Sequence, residues 1–166
     1  MLFWLRLSDQ RYERKSFAVG TGADRIWVEA PPASLRGARV REALARLEVL
    51  APADSTLLVV PEGITLNYWL RRVNPTRYNL FLPTELDAFG PDAVLEELRE
   101  NAPDIVVVMH RRHGEFGVAA FGHDARFGRD LMAWIDTHYE RVERIGGEPS
   151  DEAGFGILIL RRRAAP

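Results

Sequence analysis

The chain has 166 residues and a mass of 18.8 kDa, which suits one domain with a sizeable core. Hydrophobic residues make up 46% and charged residues 28%, and the formal net charge of -2 disfavours nucleic acid as a partner. The absence of cysteine excludes a disulfide scaffold, a thiolate metal site and a cysteine nucleophile. All but one of the 22 basic residues are arginine, which GC-rich coding explains more simply than recognition of carboxylates or phosphates.

The sequence begins with a short apolar segment, MLFWLRLS, followed by a charged segment over residues 9–15. The apolar part is far shorter than the roughly 20 residues of a membrane-spanning helix. Arg6 interrupts it, which argues against a signal peptide. On the residues alone, an ordinary N-terminal strand or helix that packs on the core is the simpler interpretation. The alternative is the end of a membrane helix with its charged collar.

Alternating apolar residues predict extended structure from Phe17 to Ala30, with a turn at residues 20–24. The turn contains Gly-Thr-Gly, but a dinucleotide-binding loop needs a third glycine and a helix directly after it, so we expect a simple turn. Ser34 is suited to cap a helix that runs to about Leu50. The apolar face of that helix recurs at spacings of three and four residues: Val40, Ala43, Leu44, Leu47 and Leu50.

Apolar runs without alternation predict strands that are covered on both faces, and they occupy residues 56–60, 104–110 and 155–160. Helices are predicted over residues 64–73, 91–101 and 126–139. The remaining predicted strands are a short one over 117–121, paired with the 104–110 strand, and an edge strand over 139–145. This pattern predicts an α/β fold, a three-layer α/β/α sandwich with a mostly parallel or mixed central sheet and a Rossmann-like architecture.

Polar residues after the predicted buried strands are the first candidates for a binding site. Glu62 follows the first run, where ligands often bind in open α/β sheets, although capping of the next helix is the simpler role. Further along, Tyr68, Arg71, Arg77 and Tyr78 mix aromatic and basic side chains that can bind a phosphate or stack on a sugar ring. A helix followed by a solvated loop explains them equally well.

Histidines follow the second run, at His110 and, further on, at His123. With Glu115 and Asp124 nearby, a metal site is one interpretation, but the spacing matches no compact zinc motif and the adjacent Arg111 opposes a cation. We therefore expect a hydrogen-bonded loop with ion pairs, no metal, and Asp124 as the cap of the following helix. No residue is assigned as catalytic, since no serine lies in a GxSxG setting.

Several segments in combination resemble one family. They are VVPEG (59–63), NY (67–68), RRVNPTRY (71–78), PTEL (83–86), LRENAPDIVVVMHR (98–111), GVAAFG (117–122) and FGI (155–157), with an arginine-rich end. This series, over residues 17–163, is similar to the C-terminal soluble region of bacterial polytopic glycosyltransferases of the GT-C type. These are relatives of the dolichyl-phosphate-mannose–protein mannosyltransferases and of the lipid A aminoarabinose transferases.

The resemblance implies an accessory domain that is not catalytic by itself and needs no cofactor. It implies that a membrane domain of the same parent protein performs the transfer from a polyprenyl-phosphate sugar, and that the soluble domain lies on the extracytoplasmic, periplasmic face. Residues 1–16 would then be a membrane-proximal stub or linker, 17–163 a single α/β domain and 164–166 a tail. The partners implied are that membrane domain and a lipid-phosphate sugar or glycan acceptor, with no nucleic acid. The ligand-binding candidates are Glu62, Tyr68, Arg71, Arg77, Tyr78, His110, Arg111 and His123.

Two other classes of function remain open from the sequence. One is a stand-alone Rossmann-like domain or enzyme that binds a nucleotide or another small molecule in a pocket at the strand ends. The other is an interaction module, which an exposed apolar patch near the N-terminus would support.

Overall fold

The computed structural model describes residue 9, residues 12–151 and residues 154–164. Most of the predicted stub, including the apolar segment 1–8, lies outside the described residues, as does the end of the predicted tail. Within the described part, no helix is both long and apolar enough to cross a membrane.

The helices and strands alternate along the chain as an α/β fold. In order they are β1 (Lys15–Val19), β2 (Ile26–Glu29), α1 (Arg36–Leu50), β3 (Leu57–Val60), α2 (Thr65–Leu70), α3 (Pro83–Phe89), α4 (Pro91–Glu100), β4 (Ile105–Met109), α5 (Arg129–His138), β5 (Tyr139–Gly146) and β6 (Gly156–Arg162). Short 3-10 turns occur at Gly22–Asp24 and Gly114–Phe116. The α/β class predicted from the sequence is confirmed.

A four-stranded mixed sheet with the order β3-β4-β6-β5 forms the centre of the molecule. β3 and β4 are parallel, whereas β6 runs antiparallel to both of its neighbours. The three unalternating apolar runs are confirmed as strands, and β5 is the edge strand expected from residues 139–145. The register places Val59, Val107 and Ile159 side by side across three strands.

Each face of this sheet carries its own apolar cluster, which explains why the central strands show no polar alternation. Val59, Val107 and Ile159 pack with Leu47 of α1 and Leu66 of α2. The alternate strand residues enter the second cluster, with side chains from α3, α4 and α5: Leu58, Val60, Val106, Val108, Leu158, Leu160, Leu86, Val94, Leu98, Leu131 and Ile135. Each fully buried aliphatic side chain contributes about 1.5–3 kcal/mol relative to its exposed state.

The predicted extended segment near the N-terminus is confirmed as an antiparallel hairpin of β1 and β2, which forms a second, two-stranded sheet. It packs against the start of α1 at Gly37, where an added Cβ would lie 2.3 Å from Cγ2 of Val28. Glycine therefore permits the close approach of the hairpin to the helix.

Three predictions in the 117–129 region are wrong. Residues 117–121 form no strand, because both edges of β4 are already paired, one with β3 and the other with β6. Left-handed φ values of 62° at Gly117 and 85° at Gly122 also bend this segment away from extended geometry. The helix expected from residue 126 begins at Arg129 instead, because Asp124 accepts a hydrogen bond from the backbone N–H of Arg126 in a preceding turn. Asp124 therefore shapes the turn and does not cap the helix.

Asp104, just before β4, joins three strands at one end of the sheet. Its carboxylate accepts hydrogen bonds from the backbone N–H and hydroxyl of Thr56 at 2.9 and 2.8 Å. It also accepts one from Nη2 of Arg162 at 2.7 Å. Burial by itself would raise the pKa of Asp104, but the Thr56 hydrogen bonds and the Arg162 charge outweigh it and hold the pKa below its usual value.

We predict that Asp104→Asn lowers the free energy of unfolding at neutral pH by about 1 kcal/mol, a modest value because the side chain is 40% exposed. Because the folded pKa lies below the ordinary value of 3.8, the stabilisation is present above that pH and is lost as the pH falls through the folded pKa. The difference between native and variant chains should therefore shrink on acidification.

Urea unfolding of both chains near neutral pH and in acid measures this difference. Asp54→Asn, in an exposed loop, is the matched control. A difference that stays constant from neutral to acidic pH would contradict the role of the Asp104 carboxylate.

Candidate functional site

A cavity of about 780 Å³ opens where the parallel strands β3 and β4 end, between their loops and the start of α1. We call it the arginine cleft and define it by Arg36, Arg39, Glu62, His110, Arg111 and Arg112. Three of the residues predicted from the sequence, Glu62, His110 and Arg111, meet here. They do so because the carboxyl ends of adjacent parallel strands lie at the same edge of a sheet.

Arg111 organises the polar groups of the cleft. Its Nε donates to Oε2 of Glu62 at 2.6 Å, and its Nη2 donates to Oε1 of Glu115 at 2.7 Å. Nη1 donates to the backbone oxygen of Arg112 at 2.5 Å. Burial by itself would lower the pKa of Arg111, but the two carboxylates raise it above its usual value. The Arg111 guanidinium is therefore held in place by its hydrogen bonds, and it links the loop after β4 to Glu62 in the loop after β3.

Glu62 does not cap the helix after β3. Helix α2 begins at Thr65, and its N-cap residue, Ile64, makes no side-chain capping hydrogen bond. The Glu62 carboxylate reaches across to Arg111 instead. The ion pair at the strand ends replaces the capping interaction that local sequence predicts.

His110 forms part of the wall of the cleft and is almost fully buried, with 7% exposure. Its backbone N–H donates to the oxygen of Gly156 at 2.8 Å, and its ring stands edge-on to Phe155 with centroids 6.1 Å apart. Among the described residues, its Nδ1 has no hydrogen-bond partner. Burial lowers the pKa of His110, and the charges of Arg36 and Arg112 lower it further, so the neutral ring is favoured.

The start of α1 supplies two more arginines that sequence reasoning did not select. The Arg36 guanidinium lies over the Phe155 ring at 5.1 Å from its centroid, and Nη1 of Arg39 donates to the backbone oxygen of Phe155. Ser34, the predicted cap, lies one residue before the N-cap position, and its Oγ is 3.4 Å from the N–H of Arg36. The arginine bias of the composition was the only signal, and it does not say which arginines meet.

Tyr68 and Arg71 lie elsewhere, at the end of α2, where both bind Asp24 in the hairpin turn. The Tyr68 hydroxyl donates to Oδ1 of Asp24 and Nη2 of Arg71 donates to Oδ2, each at 2.5 Å. Arg71 has the left-handed φ of 54° and its guanidinium covers the Tyr68 ring at 4.3 Å. These residues attach the hairpin to the main domain. The Gly20–Asp24 segment is accordingly a turn between antiparallel strands.

The other predicted residues also lie outside the cleft. Arg77 pairs with Glu97 of α4 at 2.7 Å, and Tyr78 is buried in the cluster beneath α3 and α4. His123 is exposed at the rim of a separate cavity of about 310 Å³. Within the described ranges, no three histidine or carboxylate side chains are placed to hold a metal ion.

A larger cavity, of about 1170 Å³, lies against Arg161 and Arg162 at the opposite end of the sheet. There Arg162 is paired with Asp104 and Arg161 with Glu140, each at 2.7 Å. This cavity is at the amino end of the parallel pair, away from the loops that gather Glu62, His110 and Arg111. We therefore place the candidate site in the arginine cleft.

No protein-family model, curated protein or solved structure gives a significant match to this chain. The function is therefore argued from the arrangement of its own residues.

We predict that Arg111→Gln lowers the free energy of unfolding by about 1–2 kcal/mol, because it removes two charge-assisted hydrogen bonds from a side chain that is only 24% exposed. Chemical unfolding gives the change, and a double-mutant cycle with Glu62→Gln isolates the pair. Arg144→Gln is the matched control, since its ion pair with Glu148 is more exposed. Equal losses at Arg111 and Arg144 would disprove the organising role of Arg111.

A second prediction concerns pH. Because the folded pKa of His110 lies below its ordinary value of 6.5, the unfolded chain takes up the proton first as the pH falls. Stability is therefore full above that value and decreases from there down through the folded pKa. His110→Gln should weaken this decrease, as measured by thermal midpoints between neutral pH and about pH 5. His123→Gln is the control with an exposed ring, and an unaltered pH profile in His110→Gln would refute the prediction.

Proposed function

We propose that this chain is a non-catalytic accessory domain of a membrane glycosyltransferase that uses a polyprenyl-phosphate sugar donor. The observation that supports this best is the arginine cleft, where Glu62, His110 and Arg111 converge at one edge of the sheet. These residues belong to the segments that resemble the soluble region of GT-C transferases. The proposed position is the periplasmic face of the membrane, against the membrane domain of the same parent protein.

The side chains of the cleft are suited to binding a ligand rather than to catalysing sugar transfer. Both of its carboxylates, those of Glu62 and Glu115, already accept hydrogen bonds from Arg111, which fixes their positions. Carboxylate oxygens so placed can accept hydrogen bonds from sugar hydroxyls, and free guanidinium groups can donate to phosphate or hydroxyl oxygens. In the proposed parent, the acceptor attacks the anomeric carbon of the donor sugar and the lipid phosphate leaves. The accessory domain would orient the acceptor or cover the membrane-embedded site.

We also infer a three-layer α/β/α arrangement, Rossmann-like in outline, as the finer description of the fold. It is supported by the two apolar clusters, one with α1 and α2 and the other with α3, α4 and α5. The single parallel pair, β3 and β4, departs from the all-parallel sheet of that architecture.

A stand-alone domain or enzyme that binds a small molecule or nucleotide is the second candidate function. It is favoured by the position of the cleft outside the carboxyl ends of two adjacent parallel strands. Thermal-shift measurements of the chain with nucleotides, nucleotide sugars and divalent metals distinguish the two. A large stabilisation by a nucleotide would favour this second function.

We predict that the isolated chain transfers and hydrolyses no sugar, because the proposed reaction belongs to the membrane domain. In the complete transferase, Arg111→Lys should raise the KM for the acceptor several-fold with little change in kcat, since lysine cannot bridge Glu62 and Glu115. Arg77→Lys is the matched control, because Arg77 lies outside the cleft.

Radiolabelled sugar transfer in membranes that contain the native or variant transferase measures both constants. Sugar transfer by the isolated chain, or an unchanged acceptor KM in Arg111→Lys, would overturn the proposed function.

A further inference from the structure

Among the residues that the structure describes, the lining of the arginine cleft contains more positive charge than its carboxylates balance. It gathers the guanidinium groups of Arg36, Arg39, Arg111 and Arg112, but both of its carboxylates are bound by Arg111 alone. In the part of the chain that the structure describes, no carboxylate forms a salt bridge with Arg36, Arg39 or Arg112. Unbalanced guanidinium groups around a cavity are what an anionic ligand requires.

Two of these charges reach the cleft from different elements of the fold. Arg36 begins α1, whereas Arg112 lies in the loop after β4, and both act electrostatically on the ring of His110. That ring is more than nine-tenths buried, and its Nδ1 has no hydrogen-bond partner among the residues described. His110 therefore lies in the wall of the same cavity that Arg36 and Arg112 line.

The helix adds a further positive contribution. Helix α1 has 15 residues, and its N-cap residue, Leu35, which lines the cleft, makes no side-chain capping hydrogen bond, although the N–H of Arg36 donates to Oγ of Ser34 at 3.4 Å. The first backbone N–H groups of such a helix carry a partial positive charge that attracts anions. The Arg36 guanidinium carbon lies over the Phe155 ring, 5.1 Å from its centroid, which holds the charge of this side chain beside the cleft.

We propose that the arginine cleft is an oxyanion-binding site that takes a phosphate group between Arg36 and Arg112, beside His110. A bidentate contact from a guanidinium fork matches the tetrahedral oxygens of a phosphate. The cavity of about 780 Å³ has room for more than a bare phosphate, so the ligand class is a phosphate ester. This proposal does not depend on the glycosyltransferase assignment, because it stands on the charges of the cleft alone.

Titration calorimetry of the complete chain tests the proposal with inorganic phosphate and a soluble sugar 1-phosphate, at constant ionic strength set with chloride. Sedimentation with phosphatidylcholine vesicles, with and without phosphatidic acid, tests a lipid source of the same group. We expect saturable binding to at least one phosphate probe. Binding confined to the soluble esters identifies a small-molecule ligand, and binding confined to phosphatidic acid identifies a lipid headgroup.

The decisive variant is Arg36→Ala with Arg112→Ala, which should weaken binding at least tenfold, about the loss expected for charge-assisted hydrogen bonds. Arg99→Ala with Arg129→Ala is the matched control, since it removes the same charge from exposed sites outside the cleft. Arg36→Lys with Arg112→Lys should retain part of the affinity, because lysine keeps the charge but lacks the planar guanidinium fork.

A second measurement, made on the native chain, tests the proposal even if the double variant fails to fold. Sulfate does not titrate in this range, so its binding should raise the pKa of His110 in an NMR titration by offsetting the charges of Arg36 and Arg112. The backbone of Pro149 and Asp151 also faces the ring, and that contact stays constant. No phosphate binding to the native chain, or equal affinity in the cleft variant and its control, would overturn the proposal and leave the glycosyltransferase proposal standing.

Discussion

Burial of the central sheet on both faces is the constraint on which the rest of this structure depends. β3, β4 and β6 place apolar side chains alternately into two clusters, so their buried stretches offer no position for a polar functional group. The polar and charged side chains therefore lie on the residues immediately beyond the strands. At the carboxyl end of the parallel pair, those residues are Glu62 and the segment from His110 to Arg112.

The charged residues at the two ends of the sheet have different kinds of partner. At the amino end of β4, Asp104 binds Thr56 and Arg162, so the charged groups serve to hold strands together. At the carboxyl end, Arg111 binds both nearby carboxylates, and no other carboxylate within residues 12–151 and 154–164 forms a salt bridge with the neighbouring Arg36, Arg39 or Arg112. The same residue types thus stabilise the fold at one end and create an anion-attracting cavity at the other.

The separation of the predicted site residues has a similar physical basis. Tyr68 lies in the last turn of the short helix α2 and Arg71 directly follows it, and both bind Asp24 of the hairpin turn rather than line the arginine cleft. Tyr78 is a large side chain buried in the apolar cluster beneath α3 and α4. The arginine- and aromatic-rich segment 67–78 therefore has structural roles at several places in the fold. Of the predicted site residues, only those at the strand ends, Glu62, His110 and Arg111, line the same cleft.

The sequence by itself determined the α/β class, the three buried strands, the edge strand and the extended N-terminal segment with its turn, because apolar periodicity and burial are local properties of each segment. It also indicated Glu62, His110 and Arg111, because positions that follow buried strands can be read from the order of residues. It failed at residues 117–121, since their strand propensity could not reveal that both edges of β4 were already occupied. Only the tertiary structure brought Arg36 and Arg39 from α1 to Arg112, more than 70 residues away in sequence, and decided which arginines have carboxylate partners. Charge balance within a cavity depends on the distances between segments in the folded chain, and the spacing of residues along the sequence does not reveal those distances.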